Sequence, residues 1–351
     1  MSNMKYRHVT IGAGGVALYK HIPGYMGLGN VQVCAAYDPS AGALANLKGK
    51  FPSINTYSDY EEMLCKETPD IASVCSPNKF HRDYAVDLLG RGIHVHLEKP
   101  IAMNEQEAGD IIRAKDSSTA LLMLGLNNRF TNEACFVRDY ICSGGLGEIY
   151  YVRCGWRRRR NIPSLGSWFT RKDLSGGGPL IDLGVHFIDL TLHFMGYPEA
   201  LSVSASTYRK FGGCKSKNQR KADVPEAGDY DVEDLALGFI RLDNGATMAY
   251  EFSYALNTEK EEYFYEMFGT RGGVTFHSGQ LKIYSEINDT VVDITPVTNY
   301  PKPEINEFKH FIDAIEGKAA LLAPPEEGKK MMAIIDAAYR SAEMKKEVVL
   351  T

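Results

Sequence analysis

Three residues carry the chemistry this sequence can do: Lys99, Asp182 and His186. Lys99 ends the stretch His94-Val-His-Leu-Glu-Lys-Pro100, an apolar strand pattern that stops at Glu98-Lys99-Pro100. Proline gives no donor to a sheet ladder and fixes its own φ, so Lys99 stands at the carboxyl end of a strand. In open α/β sheets ligands bind at that edge. A lysine placed there can donate to a substrate oxygen or, once deprotonated, take a proton from it. Asp182 and His186 belong to Gly176-Gly-Gly-Pro-Leu-Ile-Asp182-Leu-Gly-Val-His186-Phe-Ile-Asp189. Four apart on a helix, they share a face, and Asp189 and His193 continue the stripe. Titratable groups along an otherwise apolar helix need partners or a task. The competing readings are a surface lysine, a satisfied core histidine, and an Asp–His metal site. The sequence has no HExxH pattern and no cysteine cluster, so no metal is expected.

The elements that must position these residues fall into two patterns. Over residues 7–126 strands and helices alternate: strands at 7–11, 31–37, 71–75, 94–97 and 121–126, a brief one at Tyr57, and helices from Val16, at 41–50, 60–65, 81–90 and 104–115. Asp59 caps one helix, and Asn104 with Glu107 forms a capping box for another. Repeated βα units of this kind require a doubly wound parallel sheet with right-handed crossovers. Beyond residue 126 amphipathic strands follow one another, at 148–156, 200–208, 234–242, 247–254, 263–268, 273–277 and 280–284. Asp243-Asn-Gly245 and Ser278-Gly279 supply hairpin turns. Helices return at 181–195, 305–316 and 326–344. The expected organisation is α/β plus α+β: a Rossmann domain over 1–126, and a substrate-binding and oligomerisation domain over 127–351 built on a large open, mainly antiparallel sheet. Residues 209–230 are polar, basic and glycine-containing, which predicts a long loop acting as lid, subunit arm or surface insertion.

Gly12-Ala13-Gly14-Gly15-Val16-Ala17 fits GxGxxA between the first strand and its helix. Gly12 permits the tight turn, Gly14 lets backbone approach a pyrophosphate, and Ala17 lets helix and strand pack closely. Asp38 ends the second strand, where a carboxylate can accept both ribose hydroxyls and repels a 2'-phosphate. The cofactor expected is therefore NAD. Ser76, Pro77 and Asn78 follow the strand ending at Cys75 and are expected to line it, with His81 starting the next helix; a simple turn is the alternative.

The chain of 351 residues is long enough for two cores. Its net charge of −5 argues against nucleic acid as a partner. No apolar run is long enough to span a bilayer, and Met1-Ser-Asn-Met-Lys leads straight into a strand rather than into a signal peptide. Seven cysteines, spaced singly, predict buried free thiols in a reducing cytoplasm.

The glycine turn, the Glu98-Lys99-Pro100 strand end and the Gly-Gly-Gly-Pro…Asp182…His186 helix, in this order, resemble the Gfo/Idh/MocA family, which includes glucose-fructose oxidoreductase and inositol dehydrogenase. The resemblance covers nearly the whole chain. It implies that Lys99, Asp182 and His186 meet above the nicotinamide as the catalytic residues, with Glu98 and Lys99 also beside the cofactor and Asp182 and His186 also on the substrate. It also implies a cis peptide before Pro100, and a homodimer or homotetramer formed through the C-terminal sheet. Asn128 and Arg129 resemble the family's substrate-side segment. Arg157, in a run of four arginines, can face substrate from its strand, and Trp168 can stack on a sugar ring; a solvated basic patch and a core residue are the alternatives.

The expected reaction is oxidation of a secondary ring hydroxyl of a sugar, glycoside or cyclitol, with C3 of a pyranoside favoured by family precedent alone. His186 would be the base, Lys99 the donor to the reacting oxygen, and Asp182 an orienting or charge-balancing group; Lys99 as the base stays open. Rival readings are a redox-assisted glycosidase holding NAD tightly and a non-catalytic dinucleotide-binding sensor.

Overall fold

The computed structural model describes residues 5–163, 167–211, 230–298 and 306–350. The chain forms two compact units, residues 1–127 with 305–329, and residues 128–304 with 330–351.

The first unit holds a six-stranded parallel sheet. Its strands are β1 (Tyr6–Ile11), β2 (Val31–Tyr37), β3 (Asn55–Tyr57), β4 (Ile71–Val74), β5 (His94–Leu97) and β6 (Leu122–Leu124), in the order β3-β2-β1-β4-β5-β6. β4 is buried throughout, as are the last four residues of β1 and the last three of β5, the burial expected of the central strands of a parallel sheet. The order reverses between β1 and β4, which is where a doubly wound sheet opens its ligand crevice. A helical stretch over 15–26 follows β1; it contains a π-turn, Ala17–His21, and ends as α1 (Ile22–Met26). Then come α2 (Ala41–Lys50), α3 (Tyr60–Glu67), α4 (His81–Gly90) and α5 (Glu105–Asp116). Asp59 caps α3 by accepting the Glu62 N–H, and Asn104 caps α5 by accepting the Glu107 N–H. The Glu107 carboxylate reaches the Met103 N–H instead of closing the box on the cap residue.

The second unit is built on a nine-stranded sheet, β14-β13-β12-β11-β7-β10-β9-β8-β15. In chain order these are β7 (Ile149–Arg157), β8 (Ala200–Tyr208), β9 (Leu235–Leu242), β10 (Thr247–Ser253), β11 (Glu262–Gly269), β12 (Gly273–His277), β13 (Gln280–Ile287), β14 (Thr290–Ile294) and β15 (Val348–Val349). All neighbours run antiparallel except β7 and β10. Helices α6 (Asn132–Cys142), α7 (Lys172–Ser175) and α8 (Val185–Phe194) belong to this unit. α8 covers one sheet face, with Phe187 against Trp156 and Phe194 against Tyr265. The other face carries Arg153–Glu266 and Arg157–Glu262 ion pairs beside His277.

The sequence reading missed α6, β14 and β15. α6 follows the last parallel strand within a few residues, and its capping threonine, Thr131, lies in a polar stretch without strong periodicity. Residues 305–329 belong to the first compact unit. Helix α9 (Glu307–Ile315) packs in the first unit, Phe308 lying edge-on to Tyr25, and α10 (Pro325–Met344) runs from there into the second unit. Among the described residues six cysteines are free, but Cys65 and Cys142 are exposed rather than buried. Most of the expected loop at 209–230 lies outside the described residues, as does Cys214. No helix among the described residues is long and apolar enough to cross a membrane.

Candidate active site

In the first unit the site grows from the carboxyl ends of β1, β2, β4 and β5. Gly12 leaves β1 at φ +95°, and a Cβ there would lie 2.7 Å from the Cys75 carbonyl oxygen, so only glycine fits. Gly14, Gly15 and Val16 are exposed, and nothing lies within 4 Å of where a Cβ at Gly14 or Gly15 would project. The opening turn of the helix therefore presents its unpaired N–H groups to an open backbone cradle, which fits a pyrophosphate. Asp38 accepts the Ala13 N–H through Oδ2 and the Ser40 N–H through Oδ1, both at 2.8 Å. Each oxygen keeps acceptor capacity for a ribose hydroxyl. Ser76, Pro77 and Asn78 leave β4 at the adjoining switch point, with Asn78 buried.

Two residues at this edge brace it. His81 is 1% exposed; its Nδ1 lies 2.7 Å from the Pro100 carbonyl oxygen and its Nε2 3.0 Å from that of Ser76. It ties the β4 loop to the β5 loop. Glu98 is 7% exposed, and its Oε1 accepts from Lys20 and His21, both at 2.9 Å. Its Oε2 accepts the Lys99 backbone N–H at 3.2 Å. Lys99 itself is partly exposed, and the Lys99–Pro100 peptide is cis, as the resemblance implied.

The buried imidazoles beneath this edge set a pH dependence. Burial first, then His96 and Lys20, push His21 down to about 4 against the opposing Glu98 hydrogen bond. Burial, His21 and His96 hold His8 well below its usual value. The unfolded chain takes up these protons near pH 6.5, whereas the folded chain refuses them. Stability is therefore full above that pH and falls as pH drops, by about 1.4 kcal/mol per unit for each such group and about 3 kcal/mol for His21 down to its folded value. Urea midpoints should accordingly fall steadily between pH 7 and 5; a flat profile would mean that these rings are charged or exposed.

In the second unit a helical stretch over 179–194 carries the other residues: a π-turn, Leu180–Gly184, leading into α8. π-turns recur at functional sites because they turn side chains out of regular register. Asp182 lies in this turn and His186 four residues on; both are half-buried. The Tyr254 hydroxyl donates to Asp182 Oδ2 at 2.9 Å. The stretch is anchored by Glu233, whose carboxylate accepts the Gly178 N–H at 2.9 Å, the Leu180 N–H at 3.2 Å and the Tyr339 hydroxyl at 2.9 Å. The packing is close enough to explain the glycines: a Cβ at Gly178 would lie 2.2 Å from the Glu233 carbonyl oxygen, and one at Gly177 2.0 Å from the Tyr339 hydroxyl. Glu233→Ala would leave these donors without their acceptor and should cost about 2–4 kcal/mol. Denaturant unfolding would register that loss, with Glu233→Gln losing less; an Ala variant as stable as the wild type would refute the anchoring.

The rest of the stripe serves the core. Asp189 is 2% exposed; Arg129 Nε donates to it at 2.8 Å, its Nη2 makes a second contact, and the Tyr197 hydroxyl donates at 3.0 Å. Arg129, at 1% exposure, is thus a buried ion-pair partner of Asp189. Burial, Arg129 and Arg138 push His193 down to about 3. Arg157 lies on the sheet face away from α8, paired with Glu251 and Glu262, so it does not share a side of the sheet with Asp182 and His186. Alternation along β7 decides this, since Trp156 takes the helix-facing position. Trp168 stacks on Phe169 with ring centroids 3.8 Å apart, both partly exposed. Asn128 begins the second unit at the short turn Asn127–Phe130. Among the described residues no group of three or more metal-ligating side chains comes together.

Residues 6–126 match the family model of the Gfo/Idh/MocA oxidoreductases described as an NAD-binding Rossmann fold, and residues 138–350 match the model of their C-terminal alpha/beta domain. Among characterised proteins, the chain is 31% identical over 345 residues to the D-glucoside 3-dehydrogenase of Escherichia coli (strain K12), covering 98% of this chain and 97% of that one. It is 26% identical over 255 residues to the levoglucosan dehydrogenase of Pseudarthrobacter phenanthrenivorans, covering 70% and 64%. Among solved structures, a levoglucosan dehydrogenase in complex with NADH superposes with a TM-score of 0.85 at 21% identity, over 99% of both chains.

Proposed function

This chain belongs to the Gfo/Idh/MocA oxidoreductase family and is an NAD-dependent dehydrogenase of its sugar-oxidising kind, and on that premise we propose that it oxidises a secondary ring hydroxyl of a glycoside, at C3 of a pyranoside. The observation that carries the substrate is the end-to-end similarity to a D-glucoside 3-dehydrogenase. Bound NAD supplies the acceptor for the hydride leaving the carbinol carbon.

The protein's own residues divide the remaining work. Gly12, Ala13, Gly14, Gly15 and Val16 hold the pyrophosphate, Asp38 the ribose, and Ser76, Pro77 and Asn78 the flank beside them. Lys99 hydrogen-bonds the reacting oxygen and stabilises the negative charge that develops there. His186 removes the hydroxyl proton, because an imidazole ordinarily titrates near working pH. Asp182, held by the Tyr254 hydroxyl, orients the sugar. Asn128 and Trp168 are assigned to the sugar side. The enzyme works in the cytoplasm, as a homodimer or homotetramer through the sheet face opposite α8, where Leu237 and Phe239 are exposed. Light scattering on the purified protein decides the assembly.

The deciding experiment mixes protein and NAD with methyl glucosides, levoglucosan, free glucose and myo-inositol, following NADH absorbance and the ring position oxidised. NADH formation with a glucoside, giving a 3-keto product, is the expected result. Oxidation of inositol alone would move the substrate to the cyclitols. Glycoside cleavage without NADH accumulation would favour the redox-assisted glycosidase.

A further inference from the structure

Beneath Lys99 lies a chain of buried hydrogen bonds, all within the first unit, that hydride transfer does not use. From one end, His8 Nε2 lies 2.8 Å from Ser73 Oγ, Ser73 Oγ 2.9 Å from His21 Nδ1, and His21 Nε2 2.9 Å from Glu98 Oε1. From the other, the Tyr25 hydroxyl lies 2.9 Å from His96 Nδ1, and His96 Nε2 3.1 Å from Glu307 Oε1. Lys20 joins the two ends, its Nζ 2.9 Å from Glu98 Oε1 and 3.3 Å from Glu307 Oε1. An ionised carboxylate only accepts, so His21 and His96 donate from Nε2 and accept at Nδ1. Ser73 then donates to His21 and accepts from His8. One tautomer of each ring is consistent with every bond named, and His8 Nδ1 is left without a partner among the described residues.

The charges depend on Lys20. Its side chain is 22% exposed and reaches inward from the π-turn to two nearly buried carboxylates. Burial pushes the Glu98 carboxyl up, but Lys20 and His21 outweigh it and hold Glu98 well below the usual carboxylate range. Glu307 behaves likewise through His96 and Lys20. Burial raises the Cys75 thiol and the Tyr25 hydroxyl facing the same carboxylates, so neither supplies charge there. Without Lys20 two buried carboxylates would share one region with no compensating cation, and at least one would take up a proton or move.

We propose that Lys20 is a positioning residue for Lys99: it holds the Glu98 carboxylate, whose other oxygen accepts the Lys99 backbone N–H, and so fixes the strand end from which the Lys99 side chain departs. The proposal rests on the reading of Lys99 as the donor to the reacting oxygen. A displacement of about 1 Å at such a group costs about 10²-fold in rate.

The test uses the full chain with Lys20→Met, Lys20→Arg and Lys99→Ala. It measures kcat and KM with methyl glucoside and NAD, NADH affinity by fluorescence, and the acetylation rate of Lys99 by mass spectrometry without substrate or cofactor. Lys20→Met should lower kcat about 10–100-fold while NADH affinity and KM stay within about 3-fold, the pattern of a transition-state loss. The labelling rate of Lys99 should change while the other lysines label as before, and Lys20→Arg should recover most of the rate. If Lys20→Met does not fold, Lys20→Met with Glu307→Gln, which removes one charge of each sign, should show the same kcat loss. Wild-type kcat and Lys99 labelling in either Met variant would overturn the proposal. So would equal losses of kcat and NADH affinity that arginine does not restore. Full turnover in Lys99→Ala would sink the reading of Lys99 itself, whereas an inactive Lys99→Ala beside an unimpaired Lys20→Met would sink the positioning role alone.

Discussion

Lys99→Ala should lose turnover by about 10²–10³-fold and keep its affinity for NADH. The cofactor contacts assigned to Gly12–Val16 and Asp38 lie on the loops after β1 and β2, and none of them runs through the Lys99 side chain. On the proposed reading, what the variant removes is the cation facing the reacting oxygen as that oxygen becomes negative. Such a contact strengthens only on the way to the transition state, so its loss lowers kcat and kcat/KM together. Lys99→Arg should recover little of the rate, because a planar guanidinium cannot reproduce the point donor of an ammonium. Steady-state kinetics with a methyl glucoside and a fluorescence titration with NADH decide the matter. Turnover near the wild-type level in the alanine variant would remove Lys99 from the chemistry.

His186→Asn should lower kcat by about 10²–10⁴-fold, the usual contribution of a positioned general base. The acid limb of the pH–rate profile should disappear with it, since asparagine hydrogen-bonds without titrating. Asp182→Asn offers the internal comparison. Its amide oxygen can still accept the Tyr254 hydroxyl, so the acid limb should persist while KM for the sugar rises. If His186→Asn keeps the acid limb and most of its rate, the proton leaves by another group, and Lys99 becomes the candidate base.

The parts of this protein set by local rules were legible residue by residue. Gly12 must be glycine because its φ is positive and a carbonyl oxygen lies where a Cβ would be. Asp59 and Asn104 sit at helix starts because their side chains reach N–H groups three residues on. The family resemblance was legible for the same reason, since its motifs are short and each is fixed by local backbone geometry. Both model matches bear it out.

What the sequence left illegible has one physical cause: a side chain's burial and partners depend on residues far away in sequence. Arg129 donates in the core to Asp189, sixty residues on. Arg157 looked available until strand alternation placed it opposite α8. His81 and Glu98 stand at the expected edge of the sheet but are spent on bracing it. Lys20 and Glu307 gave no warning at all, because two ends of the chain had to be packed into one unit before they could meet.

The sequence by itself determined the fold class, the NAD-binding character and the positions of Lys99, Asp182 and His186 along the chain. These follow from hydrophobic period, turn chemistry and short motifs, each acting over a few residues. Tertiary structure alone decided which polar residues remain open to a ligand and which are consumed as structural partners. That choice depends on desolvation and on hydrogen-bond partners brought from distant segments, and neither exists until the chain has folded.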